Sequence, residues 1–436
     1  MRISREFCKD NHLCIIAVLC LCVVPLFPEY CSPFLVIGAL GCAAADARGR
    51  GDTLRIGTIG KLFALYIAYM AIGILYSEHK LNSLSTVTMW VIAFCAYLTL
   101  TTVMINRRRL HLFLLLFSLS AGLVGLIAAA QYVLRDLLNV SLPNQVWERL
   151  DLWFYQYFPM DVDIHIATHR AAATFNNPNI MSEFLIMVIP LVALCGFHGY
   201  RTRLKLTARF CVVLALLGVA ASFSRGAYLA LLSIALLVFV TNLRKLSPLL
   251  LSLVALLALL PDVILSRFFS ISLTGDFSIT QRFDAWDAAI QAILESPLFG
   301  MGPGISNFSE YALTFGVTVP HAHNIVLQLL VEGGFVGLFI LGIIAIRLLH
   351  NSVECLSRSP KTHLFGVFFL GFSMAFLVYG MVDFPFLCPK LMTTFFTVIG
   401  TADAVFSLYL EKQTLPLSKA VPPFRFPEWK QKTVLK

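Results

Sequence analysis

The chain has 436 residues and a formal net charge of +9; 58% of its residues are hydrophobic and only 13% are charged. Soluble domains carry about 25% charged residues, so this composition excludes an ordinary soluble protein. Repeated apolar runs of roughly 16–25 residues predict an all-α, polytopic integral membrane protein.

Twelve apolar segments are predicted to span the membrane as helices. In chain order they cover roughly residues 13–28, 30–45, 59–76, 84–104, 110–134, 179–198, 207–223, 226–241, 247–264, 322–349, 363–383 and 390–410. The first resembles a signal peptide, but a second span follows at once, so we interpret it as retained. No soluble domain and no repeat of fixed period is evident, so residues 1–436 are treated as a single membrane domain.

The lysines and arginines predict a topology with both termini in the cytoplasm. With the N-terminus inside, 25 of the 33 basic residues fall in segments predicted to be inside. The others are predicted outside: Lys80, Arg135, Arg149, Arg170, Arg225, Arg267, Arg282 and Lys390. This distribution attributes the positive charge to topology and anionic lipid, and it argues against a nucleic-acid partner.

Two of the predicted outer loops are long, residues 135–178 and 265–321. The second contains an amphipathic helix over 281–294, which we expect to lie along the outer surface and cover the substrate cavity. Its large apolar side chains recur at spacings of 3, 4 and 3, at Phe283, Trp286, Ile290 and Ile293. Acidic and amide side chains occupy the opposite face, so the helix is predicted to lie at an interface and not to span the membrane.

The 11 cysteines give no indication of a metal or disulfide framework. Several lie inside apolar runs, where a cysteine behaves as a small hydrophobic residue. No CxxC pair with metal-ligand spacing occurs. We therefore predict neither a zinc site nor a disulfide framework, and the sequence gives no indication of a cofactor.

Arg225 is the most informative single residue, because it lies between two apolar runs with almost no loop between them. An unpaired charge there costs a few kcal/mol on insertion scales, roughly 2.5–3.5, so such a residue usually faces a wet cavity or an anionic partner. The structural alternative is an interfacial arginine paired with Asp262 or Asp383.

Arg282 and His323 are the other two candidates for catalysis. Arg282 begins the amphipathic helix, and two outward-facing arginines can hold one phosphate-rich ligand through their guanidinium groups. The local alternative is an ion pair with Asp284 or Asp287. His323 can act as a base or donate a hydrogen bond to an anion, although a histidine at a helix start more often caps or packs.

Six further residues are candidates for substrate binding: Arg170, Asn177, Asn179, Asn324, Glu332 and Asp383. Glu332 and Asp383 lie in or at the end of predicted spans, where an acid is either functional or paired. The Asn176–Asn179 segment is typical of a turn before a helix, and its amides can also face a sugar. A metal site at His321 and His323 is weak, because residues two apart do not share a helix face.

Together these segments resemble the O-antigen ligase and polymerase family over roughly residues 207–350. The resemblance depends on Thr174–Asn179, Ser224-Arg225-Gly226, Gln281–Trp286, Ser296–Gly302, His321-Ala322-His323-Asn324 and Glu332-Gly333-Gly334. It implies a bacterial inner-membrane glycosyltransferase of GT-C-like type with a periplasmic active site. It also implies that Arg225 and Arg282 match the essential arginines of the family and His323 its essential histidine.

Such enzymes transfer a glycan from undecaprenyl pyrophosphate to an acceptor without metal or nucleotide sugar. An O-antigen ligase, in lipopolysaccharide biosynthesis, uses a lipid A–core acceptor, and a polymerase uses another lipid-linked repeat unit. From a different class, a lipid-linked glycan transporter fits the composition equally well, but its site would be expected near the membrane midplane between repeats. A non-catalytic assembly subunit would leave the three matched residues without a role.

Overall fold

The computed structural model describes residues 10–140, 142–143, 145–150, 170–198, 202–241, 277–358 and 360–410, and these contain helices but no strand. The helices are α1 His12–Val23, α2 Ser32–Gly49, α3 Thr58–Gly73, α4 Lys80–Val103, α5 Arg107–Tyr132, α6 Pro178–His198, α7 Thr202–Ser222, α8 Arg225–Val240, α9 Phe277–Glu295, α10 Ile305–Leu313, α11 Ile325–Arg358, α12 Pro360–Gly380 and α13 Pro389–Tyr409.

The predicted fold class is confirmed, since eight of these helices are long and apolar enough to cross a membrane. Three shorter apolar helices, α1, α3 and α8, also correspond to predicted spans. The ninth predicted span, residues 247–264, lies outside the described residues, so the total of twelve stays a prediction. α9 is not among the candidate spans, and it begins four residues before the predicted helix.

The helix ends predicted to be cytoplasmic come together at one end of the bundle. Arg109 at the start of α5 is buried and holds Asp46 of α2 with both guanidinium nitrogens, at 2.6 and 3.0 Å. Its Nε donates to Asn11 before α1, and Arg107 lies 4.8 Å above the ring of Tyr409 in α13. Asn11 and Tyr409 are near the two ends of the described chain, so both ends lie on the same side of the bundle.

Close helix packing at small residues holds the middle of the bundle together. A β-carbon at Gly218 of α7 would lie only 2.7 Å from the Cα of Gly125 in α5, so these two backbones touch. Glycine contacts of this kind are typical of helices that associate within lipid. Of the eight candidate spans, α6 and α13 are the most deeply buried. In each, 89% of the apolar 18-residue stretch is buried inside the protein.

α11 is interrupted at Gly334, which has a φ of 61° and a ψ of −167°. Backbone groups beside such a break lose their helical partners and must find others. The loop after α9 supplies them through Phe335 N to Pro297 O (2.8 Å), Val336 N to Leu298 O (3.2 Å), Met301 N to Val331 O (2.7 Å) and Gly302 N to Glu332 O (3.2 Å). The predicted span over 322–349 corresponds to α11, which is long and apolar enough to cross a membrane but is interrupted at Gly334.

The break requires glycine, which gives a stability prediction. Gly334→Ala should lower the free energy of unfolding by at least about 2 kcal/mol, because a left-handed φ disfavours alanine and overpacking adds to the cost. Its new β-carbon would lie 2.3 Å from the Leu298 carbonyl oxygen. Thermal unfolding of the purified protein in detergent measures the loss.

Gly342→Ala is the matched control, since it lies in the same helix and a β-carbon there meets nothing within 4 Å. It should be neutral or stabilise by about 0.5–1 kcal/mol. Equal losses in the two variants would contradict the assigned break.

Candidate active site

The C-terminal end of α12 is where the candidate site is assembled. The buried Tyr379 hydroxyl donates to the Asn179 carbonyl at 2.9 Å and lies 3.2 Å from Ser224 Oγ and 3.3 Å from Ser182 Oγ. One phenol therefore links α12 to the start of α6 and to the residue that precedes Arg225.

The starts of α8 and α11 meet the same segment. A β-carbon at Gly226 would lie 2.9 Å from Val382 Cγ2, and one at Gly380 would lie 2.8 Å from Ile325 Cγ2. With α6, three helix N-termini thus converge on the end of α12. Each N-terminus carries a partial positive charge, so the place favours an anionic ligand. Arg225 is the first residue of α8 and lies in this region.

His321, His323 and Asp383 form the centre of the site. Asp383 Oδ1 lies 3.6 Å from His323 Nδ1 and 3.8 Å from His321 Nε2, and the two imidazole centroids are 4.1 Å apart. His323 has a φ of 47°, and this left-handed turn brings the two rings to one side of the chain. The Phe384 N–H donates to Asp383 Oδ1 at 2.9 Å and fixes the carboxylate.

The protonation states follow from these contacts. Burial, followed by the neighbouring His323, lowers the pKa of His321 to about 3, although Asp383 opposes the shift. Its Nδ1 accepts the His323 backbone N–H at 3.1 Å, so neutral His321 carries its proton on Nε2. Burial alone raises the pKa of Asp383, but His323, His321 and Arg282 outweigh it and hold that pKa well below its ordinary value. Asp383 is therefore ionised.

His321 and His323 come close enough to share a metal ion, contrary to the expectation from their spacing. The two residues precede α11 in a turn, so the helix-face argument does not apply to them. One ligand atom from each, with one from Asp383, lies within 4.8 Å of the others, a geometry that could hold a metal ion. The positive charge of Arg282 acts on both His321 and Asp383 and works against a cation there.

A buried relay from α11 fixes the histidine turn. The Gln328 side chain accepts the Ala322 backbone N–H at 2.9 Å and donates to Glu332 Oε1 at 2.8 Å. Glu332 is only 2% exposed, so it acts in this relay and not on the surface of the site. These hydrogen bonds fix the backbone of Ala322, the residue between the two histidines.

α9 is attached to the protein through its alanine face. Ala285, Ala288, Ala289 and Ala292 are buried against a cluster that includes Phe308, Ala322 and Val331. The large apolar face is instead partly outside, with Phe283 50% and Ile290 45% exposed. Small side chains allow the closest approach, so α9 lies directly over the histidine turn with Arg282 at the edge of its packed face.

Arg282 does not form the local ion pair considered above. Within the described part of the chain, no ion pair links it to Asp284 or Asp287, and both acids are exposed. Its buried Nε has no hydrogen-bond partner, and neither has Nε1 of Trp286, one helical turn further on. Its charge acts on His321 and Asp383, so the structure brings Arg282 to the site.

Unsatisfied polar atoms mark this place as a binding site. Among the described residues eight buried side-chain atoms lack a hydrogen-bond partner, and half of them belong here: Glu183 Oε1, Arg282 Nε, Trp286 Nε1 and His323 Nδ1. Such atoms are rare in native proteins, and each calls for a physical reason. A polar ligand that supplies both acceptors and donors satisfies them together.

Four predicted substrate-binding residues already have structural partners. Arg170 Nε donates to the Ser222 carbonyl at 2.7 Å, and its Nη2 donates to the Asn179 side chain. Asn177 accepts the Asn179 N–H at the start of α6. Asn324 caps α11 by accepting the N–H groups of residues 326 and 327, at 2.9 and 3.1 Å. These contacts shape the walls of the site.

Sequence reasoning missed Gln328, Tyr379 and Glu183. Gln328 and Glu183 are polar residues within apolar runs, the same signal that selected Glu332. The signal was available for Glu183 and Gln328 and was not applied. Tyr379 gave none, since a tyrosine at a membrane boundary is ordinary.

The fold and the site define a multi-pass membrane protein with a cationic, polar site at one end of its bundle. A family model described as O-Antigen ligase matches residues 210–342, about three tenths of the chain, including Arg225, Arg282 and both histidines. The match confirms the family predicted from the motifs and supports a membrane glycan ligase or polymerase. No curated protein matches the chain.

The relay gives a prediction about stability. Gln328→Leu should lower the free energy of unfolding by about 1–3 kcal/mol, because it leaves the Ala322 N–H and the Glu332 carboxylate buried without partners. Gln291→Leu, at an exposed position of α9, is the control and should change it by less than about 0.5 kcal/mol. Thermal unfolding compares the two, and a Gln328 variant as stable as its control would exclude the relay.

Proposed function

We propose that the protein transfers a glycan from undecaprenyl pyrophosphate to an acceptor sugar on the outer face of the bacterial inner membrane. The acceptor is the lipid A–core, as in an O-antigen ligase. The observation that carries the proposal is the convergence of the N-termini of α6, α8 and α11 with Arg282, which suits a polyanionic ligand. The family match, which covers Arg282 and the starts of α8 and α11, supports it.

The arginines hold the leaving group. Arg225 and Arg282 bind the pyrophosphate of the donor through bidentate contacts. Negative charge grows on the pyrophosphate oxygen as its bond to the anomeric carbon breaks, and the fixed guanidinium groups stabilise that charge. The Trp286 indole N–H is one turn from Arg282 and is a further donor without a partner.

His323 acts as the general base. Its Nδ1 faces ionised Asp383, which leaves Nε2 for the acceptor hydroxyl. Nε2 takes the hydroxyl proton while the oxygen attacks the anomeric carbon and undecaprenyl pyrophosphate departs with the bonding electron pair. Asp383 stabilises the imidazolium that forms, as an aspartate does in a catalytic triad. A single displacement inverts the anomeric configuration.

The reaction needs no metal. The two arginines and the helix N-termini supply the positive charge that a divalent cation would otherwise bring to the pyrophosphate. Full transfer in the presence of a chelator is the expected result. Loss of transfer on adding the chelator, restored by a divalent ion, would assign His321, His323 and Asp383 to a metal site.

Substitution of the three central residues tests the mechanism. Arg225→Ala, Arg282→Ala and His323→Ala should each abolish transfer from an undecaprenyl-pyrophosphate glycan to lipid A–core in purified membranes. A charge-assisted contact is worth about 1.5–3 kcal/mol, and more when it tightens in the transition state. Arg→Lys at either arginine should also impair transfer, because a point charge does not reproduce the guanidinium fork.

Arg203→Ala is the control, since Arg203 is exposed at the start of α7 on the side predicted to be cytoplasmic. It should accumulate and transfer glycan normally. Near-normal transfer by both arginine variants would reject the pyrophosphate clamp. Elongation of the donor glycan in place of transfer to lipid A–core would identify a polymerase.

Reporter fusions test the proposed location. Fusions within 290–315 should report the periplasm, and fusions within 200–208 and 351–361 the cytoplasm, because the positive-inside rule orients the bundle. Enzymatic activity of paired periplasmic and cytoplasmic reporters measures each position. A cytoplasmic signal from 290–315 would remove both the topology and the periplasmic active site.

A further inference from the structure

Glu183 is a buried acid that neither the fold nor the proposed chemistry uses. It lies in α6, is 2% exposed, and its Oε1 has no hydrogen-bond partner. An unpaired acid in a membrane-spanning helix costs free energy, so such residues are almost always paired or functional. No described residue is placed to pair with Oε1, which leaves a ligand.

The face of α6 that carries Glu183 is turned toward the candidate site. Asn179, Ser182 and Glu183 are spaced three and four residues apart, so they share one side of the helix. The first two contact the Tyr379 hydroxyl, through the Asn179 carbonyl and Ser182 Oγ, and Glu183 follows Ser182 directly. Asp383 follows Tyr379 by four residues, so this side of α6 lies against the segment that carries Asp383.

The charges around the site therefore divide into two parts. On α9, Arg282 and Trp286 offer hydrogen-bond donors without partners. Near the end of α12, Glu183 and ionised Asp383 offer hydrogen-bond acceptors. A pyrophosphate is attracted to the unpartnered donors and to the helix N-termini, whereas the Asp383 carboxylate itself repels it. A sugar hydroxyl, which donates a hydrogen bond, is the complementary ligand for a carboxylate.

We propose that Glu183, beside Asp383, binds the hydroxyl groups of the acceptor glycan and orients the hydroxyl that attacks. This inference rests on the proposed glycan transfer and names the part of the site that takes the acceptor. The acceptor hydroxyl is then held near His323, with the pyrophosphate on the opposite, cationic side.

Two substitutions separate a binding role from a structural one. Glu183→Gln keeps the side-chain volume but replaces one of the two hydrogen-bond-accepting oxygens with an amide nitrogen. Glu183→Leu replaces the buried, unpaired acid with an apolar side chain of similar size. Replacing such an acid by leucine is often neutral or stabilising when the acid has no structural partner. Ser120→Ala is the control, because Ser120 is a buried polar group of α5 whose Oγ has no hydrogen-bond partner among the described residues.

Three measurements are made on the full-length protein in detergent: the unfolding temperature, binding of undecaprenyl pyrophosphate, and initial rates of transfer as the acceptor is varied. The acceptor probe is the lipid A–core fraction of the bacterium that carries the gene. If the wild type only elongates the donor glycan, a second molecule of the lipid-linked donor is the acceptor probe.

Both Glu183 variants should raise the KM for the acceptor about tenfold or more, the effect of losing one or two hydrogen bonds to substrate. Binding of undecaprenyl pyrophosphate should stay within about twofold of wild type. The unfolding temperature of Glu183→Leu should equal or exceed that of wild type, and Ser120→Ala should leave all three quantities unchanged.

The proposal is overturned if Glu183→Leu unfolds at a temperature several degrees lower, or fails to accumulate, while Glu183→Gln leaves the KM for the acceptor glycan unchanged. Either combination would mean that Glu183 has a structural role and does not bind the acceptor. The proposal is also overturned if the variants weaken undecaprenyl pyrophosphate binding as much as the acceptor KM. A wild-type protein that transfers nothing from the lipid-linked donor refutes the proposed function itself. The Glu183 inference fails alone when wild-type transfer is intact.

Discussion

The interruption of α11 at Gly334 is the constraint on which the site depends. A helix broken inside a membrane protein must find new partners for its backbone groups, and here the loop after α9 supplies all four. That pairing attaches the helix that carries Arg282 to the helix that carries Gln328 and Glu332. The same two side chains hold the peptide between His321 and His323. A single left-handed glycine thus sets the position of two of the proposed catalytic residues.

The end of α12 provides the second half of the arrangement. Tyr379, Gly380 and Val382 meet the starts of α6, α11 and α8 in turn, so three positive helix ends face one carboxylate, Asp383. Asp383 keeps its negative charge because the histidines and Arg282 favour it over the cost of burial. The region is positive overall and can attract an anion, while Asp383 remains next to His323 to stabilise a proton there.

Polar atoms without partners explain how such a site distinguishes two substrates. Arg282 and Trp286 of α9 present donors without partners, and Glu183 of α6 presents an acceptor without one. Each group is unsatisfied until a ligand of the opposite hydrogen-bonding character arrives, and the free energy that folding leaves unrealised is recovered on binding. A pyrophosphate binds hydrogen-bond donors and positive charge, whereas a sugar hydroxyl can donate to a carboxylate. The residues of this site supply both environments. The buried acid and the buried indole are then features of binding, not defects of packing.

The sequence by itself determined the membrane class and the positions of eleven described helices, because lipid requires every spanning backbone to be helical and apolar. Its short motifs also indicated the resemblance to the O-antigen ligase and polymerase family and selected Arg225, Arg282 and His323 as candidates. Tertiary structure alone decided the remainder. Gly334 follows a glycine in an apolar run, so its hydropathy is that of a continuous span. The cap contact of Asn324 and the carbonyl contact of Arg170 also come from the fold, and the local sequence pattern does not encode them. The alanine face of α9, and not its larger apolar side chains, packs on the protein because only small residues allow so close an approach. Contacts such as Tyr379 to Asn179 join residues 200 positions apart, and no local pattern encodes them.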